Sequence, residues 1–288
     1  MKALLFPGQG VQKVGMLNSL FEEVSEVKSI IDDVSKSLDF DLEDLLRNGP
    51  EEKINLTEFS QPTILVTSVL LAKYSNKLSN IDITAGLSLG EYSALVYSNC
   101  LDLSDAVKLV NYRGRLMQEA VPEGTAGMLV VLNMPINDVY KMIDDINESD
   151  ETINFSTDNA DGVSVLAGKN SAIEACKNYI ANGEFRRVKT QMVQMSVPSH
   201  CYLLDEAQEE LAKLLNEVEF KAPSIPVIPN VLAEPTSDVE VIQDSLINQL
   251  TKTVRWRETL DYLLKNNLSS LIDSGPGKTI INMARKIK

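Results

Sequence analysis

The pentapeptide Gly86-Leu87-Ser88-Leu89-Gly90 constrains this 288-residue chain more than any other feature. It follows Ile81-Asp-Ile-Thr-Ala85, which predicts a strand, and precedes a helical stretch from Glu91 to Ser98. A serine on so sharp a strand-to-helix turn is held exposed, and its flanking residues must be small because the turn crowds its neighbours. The helix N-terminus and the Leu89 N–H then point at one spot, where developing negative charge is stabilised. An ordinary glycine-rich β–α turn has the same composition, so the motif gains meaning from a base for the serine. A serine hydroxyl is a weak nucleophile near neutral pH. The chain has a single histidine, His200, in Val197-Pro-Ser-His-Cys201. Either His200 serves Ser88 or it is a structural histidine.

The length suits about two domains. Residues 2–6 predict a strand that runs into the turn Pro7-Gly8-Gln9-Gly10. A helical stretch follows to about Leu46. Ser60 is a candidate cap for a helix over 62–78 with Pro62 in its first turn, and Ser104 for a helix to about Ala120. The rhythm then changes. Strands at 128–132, 153–159, 163–168 and 185–189 alternate with helices at 137–146 and 172–180. That order, βαββαβ, is the ferredoxin-like pattern. Its ends lie close together, so residues 127–190 predict a small domain inserted into a larger α/β domain of residues 1–126 and 191–288. The larger domain resumes with a strand-like run at 192–197 and a helix at 203–218. A strand at 225–228, helices at 242–249 and 256–265, and a strand at 270–273 follow. A turn at 274–277 precedes the final helix.

Charge narrows the partners. With 27 basic and 41 acidic side chains the chain carries −14, which argues against nucleic acid or an anionic membrane surface. A small anionic substrate stays open if cations are placed locally. The three cysteines are spread out and predict neither a disulfide framework nor a metal cluster. The apolar run before Pro7 is too short for a signal peptide, and no stretch of about 20 apolar residues follows. A soluble cytoplasmic protein is expected.

Two further features bear on chemistry. Gly8-Gln9-Gly10 follows the first strand, where a glycine-flanked backbone can offer a second N–H to an oxyanion. On the helix after Ser104, the apolar stripe Ala106, Leu109, Val110, Met117 and Ala120 includes position 113, an arginine. Arg115 lies on the opposite, solvent-facing side. An inward guanidinium needs an anionic partner. Either a protein carboxylate supplies it or a substrate carboxylate does, gripped by the planar fork through two hydrogen bonds.

Together these stretches resemble the malonyl-CoA:acyl carrier protein transacylases. The matching segments are FPGQG at 6–10, SQP at 60–62 and GLSLGEYSALV at 86–96. YRGRLMQEAVPEGTAGM at 112–128, SVPSHC at 196–201, NQL and VRW within 248–256, and GPGK at 275–278 complete the set. The resemblance implies an α/β-hydrolase-like domain with a parallel sheet plus an inserted ferredoxin-like domain. It further implies transfer of a malonyl group from malonyl-CoA to the phosphopantetheine thiol of an acyl carrier protein, in polyketide or fatty acid biosynthesis. Residue by residue, Ser88 matches the acylated nucleophile and His200 its base. Gln9 and Leu89 match the oxyanion-hole donors, and Arg113 the malonyl-carboxylate ligand. Gln249 matches the residue whose backbone carbonyl orients the histidine, and Gln61 and Asn159 match polar residues near the pocket. No metal or redox cofactor is implied.

One departure stands out. The family usually has histidine before the nucleophile, where this chain has Leu87. Carboxylate recognition then falls more heavily on Arg113. The same leucine occurs in some free-standing acyltransferases of polyketide synthases, and the chain stops at Lys288 without a longer tail; both favour a polyketide role. An acidic carrier must dock on a local basic patch, for which Lys169, Lys177, Arg186, Arg187 and Lys189 are candidates. A solvated charged face is the alternative. Two rivals share the scaffold: an acyl hydrolase acting on carrier proteins, which has little need of Arg113, and a non-catalytic carrier-binding subunit, which has no need of Ser88 or His200.

Overall fold

The computed structural model describes residues 1–75 and 78–285. The apolar run β1 (Lys2–Phe6) is the centre of a parallel sheet. Helices α1 (Asn18–Glu23), α2 (Glu26–Ser35) and α3 (Leu42–Asn48) replace the single helical stretch expected to about Leu46, and α4 (Glu51–Ile54) follows. Asp41 caps α3 by accepting from the Asp44 N–H.

Helix α5 (Thr57–Lys73) begins five residues earlier than expected. Ser60 is therefore inside the helix and Pro62 beyond its first turn. Proline lacks the N–H that would bond the Glu58 carbonyl. Asn111 Nδ2 supplies that bond at 3.1 Å, which is why the proline is tolerated. The expected continuation through residues 76 and 77 lies outside the described residues. Strand β2 (Ile83–Gly86) runs into α6 (Gly90–Tyr97). Helix α7 (Leu103–Ala120) is capped by Asp102, not Ser104, because the Asp102 carboxylate reaches the Ser104 N–H.

A second sheet follows. It comprises β3 (Ala126–Leu132), β4 (Ile153–Ala160), β5 (Val163–Lys169) and β6 (Lys189–Met192), with α8 (Ile136–Asn147) and α9 (Asn170–Asn182) between strands. Its order, β4-β5-β3-β6, is antiparallel throughout and matches the ferredoxin-like expectation. The fourth strand is displaced: residues 185–188 are not a strand, and pairing begins at Lys189, opposite Leu132. Phe185 and Val188 pack instead on the core between the sheet and its helices. Residues 193–197, read as strand-like, run as irregular chain.

The remaining elements are α10 (Asp205–Glu217), β7 (Val227–Ile228), α11 (Val239–Asn248), α12 (Trp256–Lys265), β8 (Ser270–Asp273) and α13 (Thr279–Ala284). The parallel sheet has order β7-β2-β1-β8. A mixed α/β chain with one parallel sheet and one small antiparallel sheet results, as expected. Phe6 pairs with Gly86 at the carboxyl ends of β1 and β2, so the turns after both strands emerge side by side. Ligands of open α/β sheets bind at such ends.

Strand β4 joins the two sheets. Asp158 N–H donates to the Val254 carbonyl and Val254 N–H to the Ser156 carbonyl, both at 3.0 Å. Ser156 Oγ donates to the Ser199 carbonyl at 2.9 Å, and the Tyr202 N–H donates to Asn154 Oδ1 at 2.9 Å. The chain segment on either side of His200 is thus fastened to the small sheet.

Candidate active site

The turn between β2 and α6 is tight enough to exclude side chains at both ends. A Cβ on Gly86 would collide with the Gly90 carbonyl, and one on Gly90 with the Phe6 carbonyl. Ser88, at the apex, has φ +51°. A non-glycine residue there is strained and persists where its surroundings fix it. Asn230 does so: its Oδ1 accepts from the Ser88 N–H at 2.6 Å while its Nδ2 donates to the Gly86 carbonyl at 2.6 Å.

His200 meets this serine across 112 residues of sequence. Ser88 Oγ lies 2.7 Å from His200 Nε2. His200 Nδ1 lies 2.6 Å from the backbone carbonyl of Gln249. A carbonyl can only accept, so Nδ1 carries the proton and Nε2 is left free to receive one. Burial, then the Arg113 charge, pulls the imidazole down to about 3, against the opposing Gln249 hydrogen bond. His200 is therefore neutral at pH 7, the form a base requires. It too has a left-handed backbone, φ +58°.

Ser88 and His200 open on a cavity of about 260 Å³ lined also by Gly8, Gln9, Leu87, Leu89, Arg113 and Asn159. Among the described residues, neither the Gln9 nor the Leu89 backbone N–H donates to a protein carbonyl or side chain. The Gln9 side chain points away and donates to Thr57 Oγ1 at 3.2 Å.

Arg113 is 2% exposed. Its Nη1 donates to Gln61 Oε1 at 2.9 Å and its Nη2 to Gln249 Oε1 at 3.2 Å, while Nε has no partner among the described residues. No carboxylate lies within ion-pair distance of it among those residues. Burial pulls its pKa below the usual value. Arg115 faces the other way, towards Glu58 and Asp39, at 3.2 and 3.3 Å. Asn159 lines the cavity from β4, with Oδ1 buried and unpartnered among the described residues. The eight residues singled out in the sequence thus surround one cavity or contact its lining.

Two residues of the site, Asn230 and Glu91, were not anticipated from the sequence. Glu91 is fully buried, accepting from the Asn230 N–H at 3.0 Å and Gln249 Nε2 at 2.7 Å. An acidic residue in a helix's first turn is ordinary, so no local signal marked it. The rest of the cavity lining is largely apolar: Met117 from α7, Met283 from α13, and Met128, Val130, Val165, Val193 and Met195 on or beside the small sheet. Of the five cations offered as a docking patch, Lys177 pairs with Glu174 at 2.7 Å. Lys169, Arg186, Arg187 and Lys189 are exposed.

Chemically, the arrangement can activate a hydroxyl, stabilise an oxyanion and hold an anionic acyl group. A family model for the acyl transferase domain matches residues 3–279. The chain belongs to the acyl transferase domain family. The malonyl CoA-acyl carrier protein transacylase of Salmonella typhimurium is 36% identical over 99% of this chain and 92% of its own length. The Bacillus subtilis protein of the same name is 34% identical over 99% and 90%. An acyl carrier protein S-malonyltransferase structure from Vibrio cholerae superposes on this acyl transferase with TM-score 0.93 at 38% identity, covering 99% and 92% of the two chains. A malonyl transacylase bound to a type II polyketide synthase acyl carrier protein gives 0.92 at 34% identity, with 99% and 92% covered.

Proposed function

We propose that this acyl transferase moves a malonyl group from malonyl-CoA to the phosphopantetheine thiol of an acyl carrier protein, through a malonyl ester on Ser88. The observation that carries the proposal is a buried guanidinium, free of carboxylate partners among the described residues, on the same cavity as a Ser88–His200 contact of 2.7 Å.

His200 Nε2 takes the Ser88 proton as Oγ attacks the thioester carbonyl. The Gln9 and Leu89 N–H groups receive the oxyanion, where each such donor typically contributes about 10²–10³ in rate. The tetrahedral species collapses, His200 returns the proton to the departing thiolate, and coenzyme A leaves. The malonyl carboxylate rests on Arg113, assisted by Gln61 and Asn159. The carrier's thiol then attacks the ester, with His200 again as base and later as acid to Ser88. Gln249, through its backbone carbonyl, keeps the imidazole turned and its tautomer fixed, a task an aspartate performs in other serine enzymes.

The sheet of β3 to β6 runs from Ala126 to Met192, which supports a small domain close to the expected residues 127–190, its strands overrunning those bounds by one residue at the start and two at the end, with the flanking segments 1–126 and 191–288 as the catalytic one. The exposed cations on the small domain are the carrier-docking candidates. No helix among the described residues is long and apolar enough to cross a membrane. The net charge and the water-soluble thioester substrate favour a cytoplasmic location.

Intact mass spectrometry tests the proposal. Malonyl-CoA should add one malonyl group to the enzyme, and an acyl carrier protein bearing phosphopantetheine should remove it and gain the same mass. Loss of the adduct to water, with none reaching any carrier, would instead assign a hydrolase. No adduct at all would refute the covalent route.

A further inference from the structure

Two opposite charges are buried beside the dyad, and they do not touch. Glu91, on the first turn of α6, is completely inaccessible to solvent, and Arg113, on α7, nearly so. The Gln249 side-chain amide bridges them. Its Oε1 accepts from Arg113 Nη2 at 3.2 Å, and its Nε2 donates to Glu91 Oε2 at 2.7 Å. Gln249 Nε2 also reaches the Ser88 carbonyl at 3.0 Å, and its backbone carbonyl receives His200 Nδ1. Glu91 Oε2 meanwhile receives the backbone N–H of Asn230, the residue whose side chain pins the Ser88 turn. One carboxylate oxygen thus anchors both residues that orient the serine and the histidine. The other oxygen, Oε1, is buried with no partner among the described residues.

We propose that Glu91 is a positioning residue for acyl transfer: it is the counter-charge that Arg113 keeps until an acyl carboxylate arrives, and it holds Gln249 and Asn230, and through them His200 and Ser88, in place. The proposal rests on malonyl being the acyl group. The charged group that faces Glu91 is Arg113 from α7; Tyr92, from its own helix, is titratable but stays neutral, its phenol pushed up to about 12 by burial. His200 shares the Gln249 contact and is neutral at pH 7.

A consequence follows for protons. Burial pushes Glu91 up to about 7, held there against the Arg113 charge and two donated hydrogen bonds. A malonyl carboxylate on the guanidinium cancels the Arg113 contribution, and the Glu91 pKa climbs further. In the sites where Glu91 was ionised, about half of them at pH 7, it then binds a proton from solvent and the charge returns to its empty value. Acylation itself is proton-neutral at pH 7, because the serine proton ends on the coenzyme A thiol. Any net uptake on malonyl loading therefore belongs to the protein.

The test loads the full-length enzyme stoichiometrically with malonyl-CoA or acetyl-CoA in weak buffer containing an indicator dye, and records adduct mass in parallel. Malonyl loading at pH 7 should take up as much as about half a proton per enzyme, and acetyl loading none. Glu91→Gln should abolish the malonyl-dependent uptake. It should lower kcat about 10- to 100-fold, the worth of a charge-assisted hydrogen bond, without raising KM for malonyl-CoA. A malonyl adduct without proton uptake from pH 6 to 7.5, or equal uptake with both acyl groups, overturns the proposal and leaves malonyl transfer intact. Absence of the malonyl adduct sinks both. If Glu91→Gln does not fold, the wild-type comparison of the two acyl groups still decides.

Discussion

The two walls of the cavity are built on different principles. At the parallel sheet the wall is shaped by backbone: the turns after β1 and β2 carry Gln9, Ser88 and Leu89, and Gly86 and Gly90 leave no room for a side chain, with Arg113 set behind them on α7. The wall from the antiparallel sheet is side chain: Met128, Val130, Val165 and Asn159. Backbone donors are fixed by the fold and serve a step common to every thioester. Flexible thioethers and aliphatic groups can adjust to the acyl group present. Chemistry therefore sits on the stiff wall and tolerance on the pliant one.

The sharpest way to break this division is at the stiff wall. Ser88→Ala should cut transfer about 10⁴–10⁶-fold and remove the covalent adduct. A labelled adduct surviving in that variant would place the nucleophile elsewhere. Gly86→Ala drives a methyl into the Gly90 carbonyl and should destabilise the fold by about 4 kcal/mol or more, read as loss of soluble protein or of cooperative melting. A normally stable Gly86→Ala enzyme would show that the turn has slack. Arg113→Ala should lower kcat/KM for malonyl-CoA about 10²–10³-fold while sparing acetyl transfer. Equal loss for both would make Arg113 structural.

The pH response comes next. His200 is buried neutral, with a pKa of about 3 against 6.5 when unfolded. As pH falls below 6.5 the unfolded chain binds a proton that the native state refuses, so stability drains away between pH 6.5 and 3. At pH 4.5 wild type should have lost about 2–3 kcal/mol more than His200→Gln, relative to pH 7.5, in denaturant titrations. Parallel losses would mean that the imidazole protonates freely in the fold. Smallest of all, Met128→Leu on the pliant wall should change malonyl transfer by no more than about threefold, a volume-conserving swap. A tenfold fall would move Met128 to the stiff side of the comparison.

Legibility in the sequence followed the same division. Glycines that a tight turn demands appear as a motif, so the Ser88 turn and its place after a strand could be read directly. Arg113 was visible because a charge interrupted an apolar stripe. The lone histidine identified itself by elimination. Gln249, Gln61 and Asn159 rested on resemblance, since a backbone carbonyl or an uncharged amide has no distinguishing pattern. Glu91 and Asn230 stayed hidden because their importance lies in long-range contacts, 139 residues apart, between groups that look ordinary locally. The fourth strand of the small sheet was misplaced because the apolar residues Phe185 and Val188 suggested pairing, whereas they are used to cover a core.

The ties from β4 to either side of His200 have a mechanical consequence. Serine and imidazole share the catalytic domain but are braced differently: one rides the turn after β2, while the chain on either side of the other is tied to β4 of the small sheet. Any hinge that opened the cleft to admit a carrier's arm would draw the base away from the nucleophile as it did so. In such a motion, opening the cleft and disarming the dyad would be a single event.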